Sequence, residues 1–349
     1  MTPTPSTSHG TRSGIASGGN WIVDWVKTVD RLPGRGMLGN VQSQARSTGG
    51  APANVLMDLA RLQFPFPLTA SGVVGNDSDG AFLRETARGH GIDVAALAVT
   101  REAPTSYTDV MAEQGSGDRS FFHCRGANAL FGPEHVSVAS LTCRIFHLGY
   151  LLLLDRMDQP HVQHGTVAAA FLKALQAAGI KTSVDVVSEE SDRFRTLVPP
   201  ALRYTDYLIL NEVEAARAVG RTVRTPEGRL DGAALAGVVD ELYRFGDMEL
   251  VAVHMPEGVY LRDRAGQRTS LGSFLLPEGF LKGALGAGDA FCAGMLYGLH
   301  EGWEPGRCAE LGICCATACL ADPTATGGVA PLDEALRFAE RFPRRPPPV

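Results

Sequence analysis

The sequence predicts one large α/β domain with a doubly wound, mostly parallel sheet covered by helices on both faces. The first observation is an alternation of short apolar runs of strand length with segments of helical spacing, which is regular from residue 144 onward. Continuous apolar strands indicate a parallel sheet that is buried on both sides. The second observation is the composition: 349 residues with 44% hydrophobic and 20% charged side chains suit a globular protein with a sizeable core.

The N-terminal part begins with residues 1–14, which are rich in Ser, Thr and Pro and predict a disordered leader before a domain at 15–342. Gly49 and Gly50 precede a run of helical spacing and mark a helix start. The elements predicted before residue 100 are a strand at 21–25 with Asp24 near its end, a loop at 28–47, a helix opening at 49–54, a strand at 68–74, a helix at 80–88 and a turn at 91–93.

Residues 105–124 depart from this pattern, because polar and apolar residues alternate there around a turn at 115–118. Such alternation is typical of a β-hairpin. Since the segment lies between α/β segments, we expect an antiparallel extension outside the main sheet.

The C-terminal half alternates strands and helices most regularly. The predicted strands lie at 145–148, 180–187, 207–210 and 250–253, with a hairpin neighbour at 259–262, and the predicted helices lie at 164–178, 212–219, 233–245, 290–301, 306–320 and 332–342. The tail at 343–349 is basic and rich in proline, which predicts a flexible end.

Gly286, Ala287, Gly288 and Asp289 form a glycine-rich turn that leads into the helix predicted at 290–301. Unpaired backbone N–H groups and the helix dipole favour an anion such as phosphate at a helix start. Asp289 has two interpretations at this place. It is either a helix N-cap, or a base that takes a proton while the amides stabilise a transferring phosphoryl group.

Further polar residues follow predicted strands, namely Asp24, Asp185, Asn211 and His254. In open α/β sheets, ligands bind beyond the carboxyl ends of the strands. We therefore expect these residues to converge with the 286–289 turn on one cleft, which favours the catalytic interpretation of Asp289.

The net charge of −6 and the pI of about 5.9 argue against a nucleic acid partner. No apolar run has the length of a membrane span. The seven cysteines include no C-x-x-C pair, which indicates free thiols in a reducing cytoplasm.

From about residue 18 to residue 342 the chain resembles the carbohydrate kinases of the ribokinase (PfkB) family. The resemblance rests on separated motifs in the family's order. These are the double glycine and Asn54 within 49–54, the stretch Val74-Gly75-Asn76-Asp77, the N-x-x-E motif of Asn211 and Glu214, and Gly286-Ala287-Gly288-Asp289 with a small-residue helix after it. The resemblance implies a ribokinase-like fold with a small antiparallel β lid built from about 25–48 and 104–126.

The resemblance also implies an activity: ATP-dependent, Mg²⁺-assisted phosphorylation of a hydroxyl on a sugar or sugar-like molecule. Asp289 would be the general base, and the Ala287, Gly288 and Asp289 amides after Gly286 would form the anion hole. The residues implied to act near Mg²⁺ and the nucleotide are Asn211, Glu214 (on the metal through water), His254, Gly258 and Gly288.

Four residues would hold the hydroxyls of the acceptor under the lid, namely Asp24, Gly49, Gly50 and Asn54. Arg125 either pairs with a carboxylate of the acceptor or lies on the lid surface. Lid strands often pair in dimers of this family, so the resemblance also implies a homodimer.

Two departures from the family pattern leave alternatives open. Gly283 and Ala284 stand where relatives carry Asp-Thr, and because that Asp helps to bind an activating monovalent cation, its absence counts against potassium activation. Pro256 changes a glycine-containing turn of the nucleotide site, which leaves the nucleotide preference open. A nucleoside kinase, or a non-catalytic sugar or nucleotide sensor on the same fold, remains an alternative. A dinucleotide-dependent oxidoreductase would need a G-x-G-x-x-G motif after the first strand, which is missing.

Overall fold

A nine-stranded sheet forms the centre of the computed structural model, which describes residues 12–114, 119–188 and 191–349. In spatial order its strands are β15 (Arg268–Gly272), β14 (Gly258–Asp263), β13 (Leu250–Met255), β12 (Tyr207–Asn211), β11 (Lys181–Val186), β8 (Ile145–Leu151), β1 (Ile15–Gly19), β4 (Leu68–Gly75) and β5 (Asp93–Thr100). The strands from β13 to β5 run parallel, whereas β14 pairs antiparallel with β13 and β15. The predicted mostly parallel sheet is confirmed.

Helices cover both faces of this sheet, as predicted. They are α1 (Ala51–Arg61), α2 (Ser78–Gly89), α3 (Val167–Ala177), α4 (Phe194–Leu202), α5 (Glu212–Val219), α6 (Gly232–Leu242), α7 (Ala287–Glu301), α8 (Pro305–Leu320), α9 (Leu332–Leu336) and α10 (Phe338–Arg341). Apolar side chains of α1, α7 and α8 form the core on one face, and those of α3 to α6 form the core on the other. Gly294 and Gly312 let α7 and α8 approach closely, since a Cβ on Gly294 would lie 2.8 Å from the Gly312 Cα.

A second, four-stranded sheet projects from the domain and is called the lid below. Its strands are β3 (Val41–Gly49), β2 (Ile22–Val29), β6 (Ser106–Glu113) and β7 (Arg119–Cys124). The outer pairs are antiparallel and the central pair, β2 with β6, is parallel. The hairpin predicted at 105–124 corresponds to β6 and β7, and its predicted turn at 115–118 lies outside the described residues. A two-stranded pair, β9 (Pro160–His161) and β10 (Gly165–Thr166), lies apart from both sheets.

The strand predicted at 21–25 is present as part of β2, but its predicted place as the first strand of the large sheet is wrong. The first strand of the large sheet is β1, while Ile22 to Val29 belongs to the lid. Strand β1 ends in Gly18 and Gly19 and therefore carries a weak apolar signal. The large sheet needs those small residues, because a Cβ on Gly18 would lie 2.7 Å from the Phe146 ring. Asp24 is consequently a lid residue and does not follow a strand of the large sheet.

Besides β1, further elements were not predicted as strands or helices, among them β3, β5, α4 and β15. Helix α4 contains Pro199 and Pro200, which normally interrupt a helix and hide its pattern. Strands β5 and β15 flank the sheet and are partly exposed, so they lack the continuous apolar run of a central strand.

Both chain ends differ from the prediction where the structure describes them. The tail lies along the edge of the sheet: Arg345 N donates to Ser273 O over 2.7 Å, and Leu275 N donates to Pro343 O over 2.7 Å. The Arg344 guanidinium stacks 4.5 Å from the Phe274 ring, so backbone pairing and stacking offset the proline-rich composition. Of the predicted leader, residues 1–11 lie outside the described residues, and Ser13 N donates to Thr142 O over 3.1 Å.

Candidate active site

The turn before α7 has the geometry of an anion site. Gly286 precedes the helix with φ 77°, and a Cβ there would lie 2.4 Å from Ala325 O, so the position requires glycine. Ala287, Gly288 and Asp289 form the first helical turn. Because the N–H groups of a first turn have no intrahelical acceptor, they remain available to an anion that approaches along the helix axis.

The Asp289 carboxylate is buried and held by two donors from different elements. Asn54 Nδ2 on α1 donates to Asp289 Oδ2 over 2.7 Å. The Tyr150 hydroxyl, at the end of β8, lies 3.1 Å from Oδ1 and 3.3 Å from Oδ2. Burial raises the pKa of Tyr150, and Asp289 raises it further, so that the phenol stays protonated and donates.

Burial raises the pKa of Asp289 to about 6, although the hydrogen bonds from Asn54 and Tyr150 lower it. A carboxylate with such a pKa is ionised at neutral pH and is more basic than an exposed aspartate. Both properties suit a general base, whose best pKa lies near the working pH. The N-cap position of α7 is Gly286, whereas Asp289 is the third residue of the helix and accepts from Asn54 and Tyr150, so Asp289 is not the N-cap.

Two glycines join the lid to α1 and bring Asp24 close to the centre of the site. Gly50 has φ 87°, and a Cβ there would lie 2.1 Å from Asn20 O. A Cβ on Gly49 would lie 2.2 Å from Asp24 Oδ2, so the Asp24 carboxylate rests directly on the Gly49 backbone. The predicted proximity of Asp24 to Gly49 is therefore present, although Asp24 reaches it from the lid.

Burial raises the pKa of Asp24 to about 7, the charge of Asp289 adds to the rise, and a hydrogen bond with Thr108 opposes it. Asp24 and Asp289 are thus close enough for their charges to interact. A partly protonated carboxyl can both donate to and accept from a hydroxyl group. The lid thus carries a carboxyl group that is chemically able to bind the hydroxyls of a polyol.

Beside Asp289 lies a cleft of about 170 Å³, called the acidic cleft below. Its residues come from the ends of β8, β11, β12 and β13 and from α5 and α7. They are Tyr150, Asp185, Val186, Ile209, Asn211, Glu214, His254, Gly286, Gly288, Asp289 and Cys292. Among these described residues none is Lys or Arg.

Asn211 and Glu214 cap the start of α5 and face the acidic cleft. Asn211 Oδ1 accepts from the Glu214 amide over 2.9 Å, and Glu214 Oε2 accepts from the Asn211 amide over 3.0 Å. Ser188 Oγ donates to Glu214 Oε1 over 2.7 Å. The hydrogen bonds that cap α5 therefore also orient the Asn211 and Glu214 side chains at the acidic cleft.

The acidic cleft concentrates negative charge. Burial raises the pKa of Glu214 to about 7, and its hydrogen bonds with Asn211 and Ser188 partly oppose this. Burial also raises the pKa of Asp185 well above its usual range, and Glu214 and Asp289 add to the rise. Acids that raise one another's pKa in this way would be stabilised by a bound cation.

The carboxyl oxygens of the acidic cleft fit a Mg²⁺ ion that is bound by few protein ligands. Mg²⁺ prefers oxygen ligands, keeps several waters and is often held by one or two carboxylates and by substrate phosphates. Within the described residues no group of three or more His, Cys, Asp or Glu side chains could hold a metal by itself. A magnesium ion here would therefore be shared between Glu214, Asp185, water and phosphate oxygens.

On the other side of Gly288 lies a larger, mostly apolar cleft of about 840 Å³, called the apolar cleft below. Its floor includes Ile313 and Ala316 of α8, and its rim includes Leu276 and Leu281. Gly258 lines it at the start of β14 with φ 153°, where a Cβ would lie 2.1 Å from Leu271 O. The size and the apolar walls suit a planar organic ring.

His254 separates the two clefts. Its ring lies 5.0 Å from the Phe291 ring, and a Cβ on Gly288 would lie 3.3 Å from its Cε1. Burial lowers the pKa of His254 to about 4, so the ring is neutral at neutral pH. It can donate one hydrogen bond without adding charge.

Arg125 does not line either cleft. Its Nη1 lies 2.6 Å from Asp155 Oδ1 and 3.1 Å from Leu152 O. The guanidinium is thereby committed to a neighbouring loop, which favours the structural interpretation of Arg125 over a contact with a substrate carboxylate.

Tyr150 and Asp58 belong to this region and were not predicted. Tyr150 follows Gly149 just beyond the strand predicted at 145–148, so its position at a strand end was the available signal. Asp58 lies four residues after Asn54 on α1 and is fully buried. A charged residue on the apolar face of a helix was the available signal there.

A three-layer α/β fold with an acid beside a glycine-rich helix start and two clefts that meet at that helix defines a phosphotransferase of small molecules. The sequence profile described as pfkB family carbohydrate kinase matches residues 13–331. The chain belongs to this family and is a sugar kinase, a phosphotransferase with an alcohol group as acceptor.

Known relatives agree with this family. A ribokinase of Arabidopsis thaliana is 25% identical over 305 residues, which cover 86% of this chain and 74% of that protein. A fructokinase of Klebsiella pneumoniae is 28% identical over 298 residues, which cover 82% of this chain and 87% of that protein.

Solved structures confirm the ribokinase-like fold. The Arabidopsis thaliana ribokinase complexed with ribose and ATP superposes with a TM-score of 0.76 at 20% identity, covering 94% of this chain and 98% of that one. A ribokinase from Giardia lamblia superposes with a TM-score of 0.78 at 17% identity, covering 95% and 99%. In the described part of the chain, no helix combines the length and the apolar character needed to cross a membrane.

Proposed function

We propose that this sugar kinase transfers the γ-phosphoryl group of ATP to a hydroxyl of a neutral sugar-like acceptor, with Asp289 as the general base. The observation that carries the proposal is the position of the Asp289 carboxylate, buried one turn into α7 and directed by Asn54 and Tyr150. Asp289 would accept the proton of the acceptor hydroxyl, and the anion-binding start of α7 would stabilise the phosphoryl group that is transferred.

The transfer needs one proton movement and one exchange of bonds to phosphorus. As the acceptor oxygen approaches the γ-phosphorus, its proton passes to an Asp289 oxygen. The new oxygen–phosphorus bond forms while the bond between the γ-phosphorus and the bridging oxygen of ADP breaks. Because the transition state is loose, positioning and charge stabilisation supply most of the rate. The Ala287, Gly288 and Asp289 amides would take the developing charge on the phosphoryl oxygens.

We assign the nucleotide to the two clefts on either side of Gly288. The apolar cleft would take the adenine ring, and the phosphates would extend past His254 and Gly258 toward the α7 turn. Mg²⁺, when bound beside Glu214, Asp185 and Asn211, supplies positive charge to the phosphates and offsets the carboxylates there. Ser188 and the α5 cap hold Glu214 in place for this task.

We assign the acceptor to the space between the lid and α1. Asp24, Asn54 and the Gly49–Gly50 backbone would bind its hydroxyls, and movement of the lid would exclude water during transfer. The commitment of Arg125 to Asp155 supports a neutral acceptor over a sugar acid.

The test is acceptor-dependent ADP release from Mg-ATP with a panel of pentoses, hexoses, sugar acids and nucleosides. We expect turnover with a neutral sugar and little with sugar acids. Efficient turnover only with nucleosides would replace the proposed acceptor with a nucleoside. Tight ligand binding with no turnover for any acceptor would favour a sensor.

We also propose a homodimer formed through the lid, in the cytoplasm. Phe121 and Phe122 on β7 are 56% and 61% exposed, and Val41 on β3 is 53% exposed, so the lid offers apolar side chains to a second lid. The seven unpaired cysteines support a reducing compartment. Light scattering would measure the mass, and Phe121→Glu with Phe122→Glu should leave a monomer. A wild-type monomer at micromolar concentration would contradict the dimer.

A further inference from the structure

Three polar residues of α1, Asn54, Asp58 and Arg61, carry buried atoms that have no hydrogen-bond partner in the described part of the chain. These atoms are Asn54 Oδ1, both carboxyl oxygens of Asp58 and Arg61 Nε. Residues four apart on a helix lie one above the other, so Asn54 and Asp58 are neighbours on one face. Native proteins rarely leave such atoms unsatisfied, so the cluster calls for a physical explanation.

Asp58 is the most unusual member, because its side chain is 0% exposed. The charged or titratable groups that face it are Arg61 on α1, Asp289 on α7, and Cys315 and Cys319 on α8. Among the described residues no ion pair within 4.0 Å joins Asp58 to Arg61. A bare carboxylate at such a site is strongly disfavoured, and a buried acid normally takes up a proton instead. Burial raises the pKa of Asp58 well above its usual range, and Asp289 raises it further, in agreement with this geometry.

A proton on Asp58 changes its hydrogen bonding from acceptor to donor. Asn54 has the complementary need: its Nδ2 donates to Asp289 Oδ2 over 2.7 Å, while its Oδ1 is buried without a donor. If the amide rotated by half a turn, its oxygen would face the Asp289 carboxylate and repel it. A donor at Oδ1 prevents that rotation.

We propose that Asp58 is a positioning residue whose protonated carboxyl group donates to Asn54 Oδ1 and so keeps the Asn54 amide directed at the Asp289 carboxylate. The proposed hydrogen bond from Asp58 to Asn54 lies along α1, and the hydrogen bond from Asn54 reaches Asp289 on α7. No covalent bond changes, and the proton on Asp58 stays in place during turnover. The proposal rests on the proposed function only where Asp289 is named as the base.

Two substitutions of Asp58 by side chains of similar size distinguish the loss of a hydrogen-bond donor from a change in packing. Asp58→Asn keeps a donor, since its amide can serve Asn54 Oδ1 without a proton, and Asp58→Leu removes it. We expect Asp58→Asn to retain kcat within about threefold and Asp58→Leu to lose about tenfold or more. In Asp58→Leu the pKa of Asp289 should rise, because the ionised form loses a donor, and the acid limb of the kcat/KM profile should move to higher pH. Ser71→Ala is the control, because Ser71 Oγ is also buried and unpartnered but lies on β4.

A structural role alone would lower the melting temperature of Asp58→Leu without moving the acid limb, and that result would overturn the proposal. Equal loss of activity in Asp58→Asn and Asp58→Leu would also overturn it, because the carboxylate itself would then be required.

A second measurement is independent of activity. If Asp58 is protonated in the folded state and ionised in the unfolded state, the folded protein binds one more proton above the unfolded pKa of about 4. The stabilisation is fully present below that pKa and is lost as pH rises toward the raised folded pKa. Relative to Asp58→Asn, the folded-to-unfolded ratio of wild type should therefore fall about tenfold per pH unit above about pH 5.

Parallel pH dependences of the two proteins would overturn the protonated Asp58. An infrared carbonyl band of a protonated carboxylic acid that is present in wild type and absent in Asp58→Asn is the expected spectroscopic sign. Absence of turnover in wild type with every acceptor would contradict the proposed function while these two measurements still decide the state of Asp58.

Discussion

The acidic cleft and the apolar cleft meet at His254 and Gly288, yet they are built on different principles. The acidic cleft is small, about 170 Å³, and its lining residues come from strand ends and from α5 and α7, where Ser188 and the Asn211 amide hold Glu214 by hydrogen bonds. The apolar cleft is about 840 Å³ and its walls come from α8 and the segment before α7, whose side chains offer mainly surface. We therefore expect the placement of charges to determine the chemistry in the acidic cleft, and shape to determine nucleotide binding in the apolar cleft.

The two clefts should therefore respond differently to substitution. In the acidic cleft, a substitution that changes the polarity of a side chain but not its volume should reduce the rate. In the apolar cleft, a substitution that changes the volume of a side chain should reduce nucleotide affinity. The four predictions below test this difference in order of decreasing effect.

Asp289→Asn should lower kcat about 10³-fold, because the amide cannot accept the hydroxyl proton. The nucleotide Kd should stay within about threefold, because the apolar cleft is unchanged. Single-turnover kinetics and calorimetric titration of a non-hydrolysable nucleotide measure the two quantities. Unchanged kcat would remove Asp289 from the role of base.

Gly49→Ala should lower kcat/KM for the acceptor about 10²-fold. Its new Cβ would lie 2.2 Å from Asp24 Oδ2, so the carboxylate must move by about an ångström. Gly34→Ala is the matched control in the same lid, since nothing lies within 4 Å of its Cβ. Steady-state kinetics with acceptor varied at saturating ATP measures the effect, and equal values for the two variants would exclude Asp24 from acceptor binding.

Ala316→Phe should raise the KM for ATP about tenfold with little change in the KM for the acceptor, because the ring fills part of the apolar cleft. Ala233→Phe is the control, since Ala233 is exposed on α6 and lines neither cleft. A larger effect on acceptor than on ATP would reverse the assignment of the clefts.

Tyr150→Phe should have the smallest effect, a loss of severalfold in kcat below pH 7. The wild-type rate should decline below about pH 6, where Asp289 with its pKa of about 6 becomes protonated and can no longer act as base. Removal of the phenol takes one donor from the ionised carboxylate, so the pKa of Asp289 should rise and the acid limb should move to higher pH. A pH–rate profile measures the shift, and a shift to lower pH would contradict the hydrogen bond.

Much of the fold could be predicted because its signals are local. Helix α5 was predicted at its observed bounds, and in the structure Asn211 and Glu214 form a capping box at its start. Strand β1 could not be predicted, because its small residues have meaning only beside Phe146. Helix α4 was hidden by Pro199 and Pro200, whose cost is offset by the burial of Phe194 and Val198.

The candidate site divides in the same way. The motif residues Asp289, Asn54 and Gly49 were predicted from the ordered motifs that carry the family resemblance, whereas the side chains that contact them were not. Tyr150 reaches Asp289 across 139 residues of chain, and Asp24 reaches Gly49 from a different sheet than expected. No periodicity encodes such contacts, because they depend on where separate elements dock.

Apolar periodicity and turn chemistry act over a few neighbouring residues, so the sequence alone predicted the class of fold. Its ordered motifs identified the family through the resemblance and predicted the residues that would carry phosphoryl transfer. Only the tertiary structure showed that Asp24 lies in the lid, that Arg125 is paired with Asp155, and that the tail packs on the sheet edge. It also decided the protonation balance of the site, because pKa values follow from burial and from charges brought together across the whole chain.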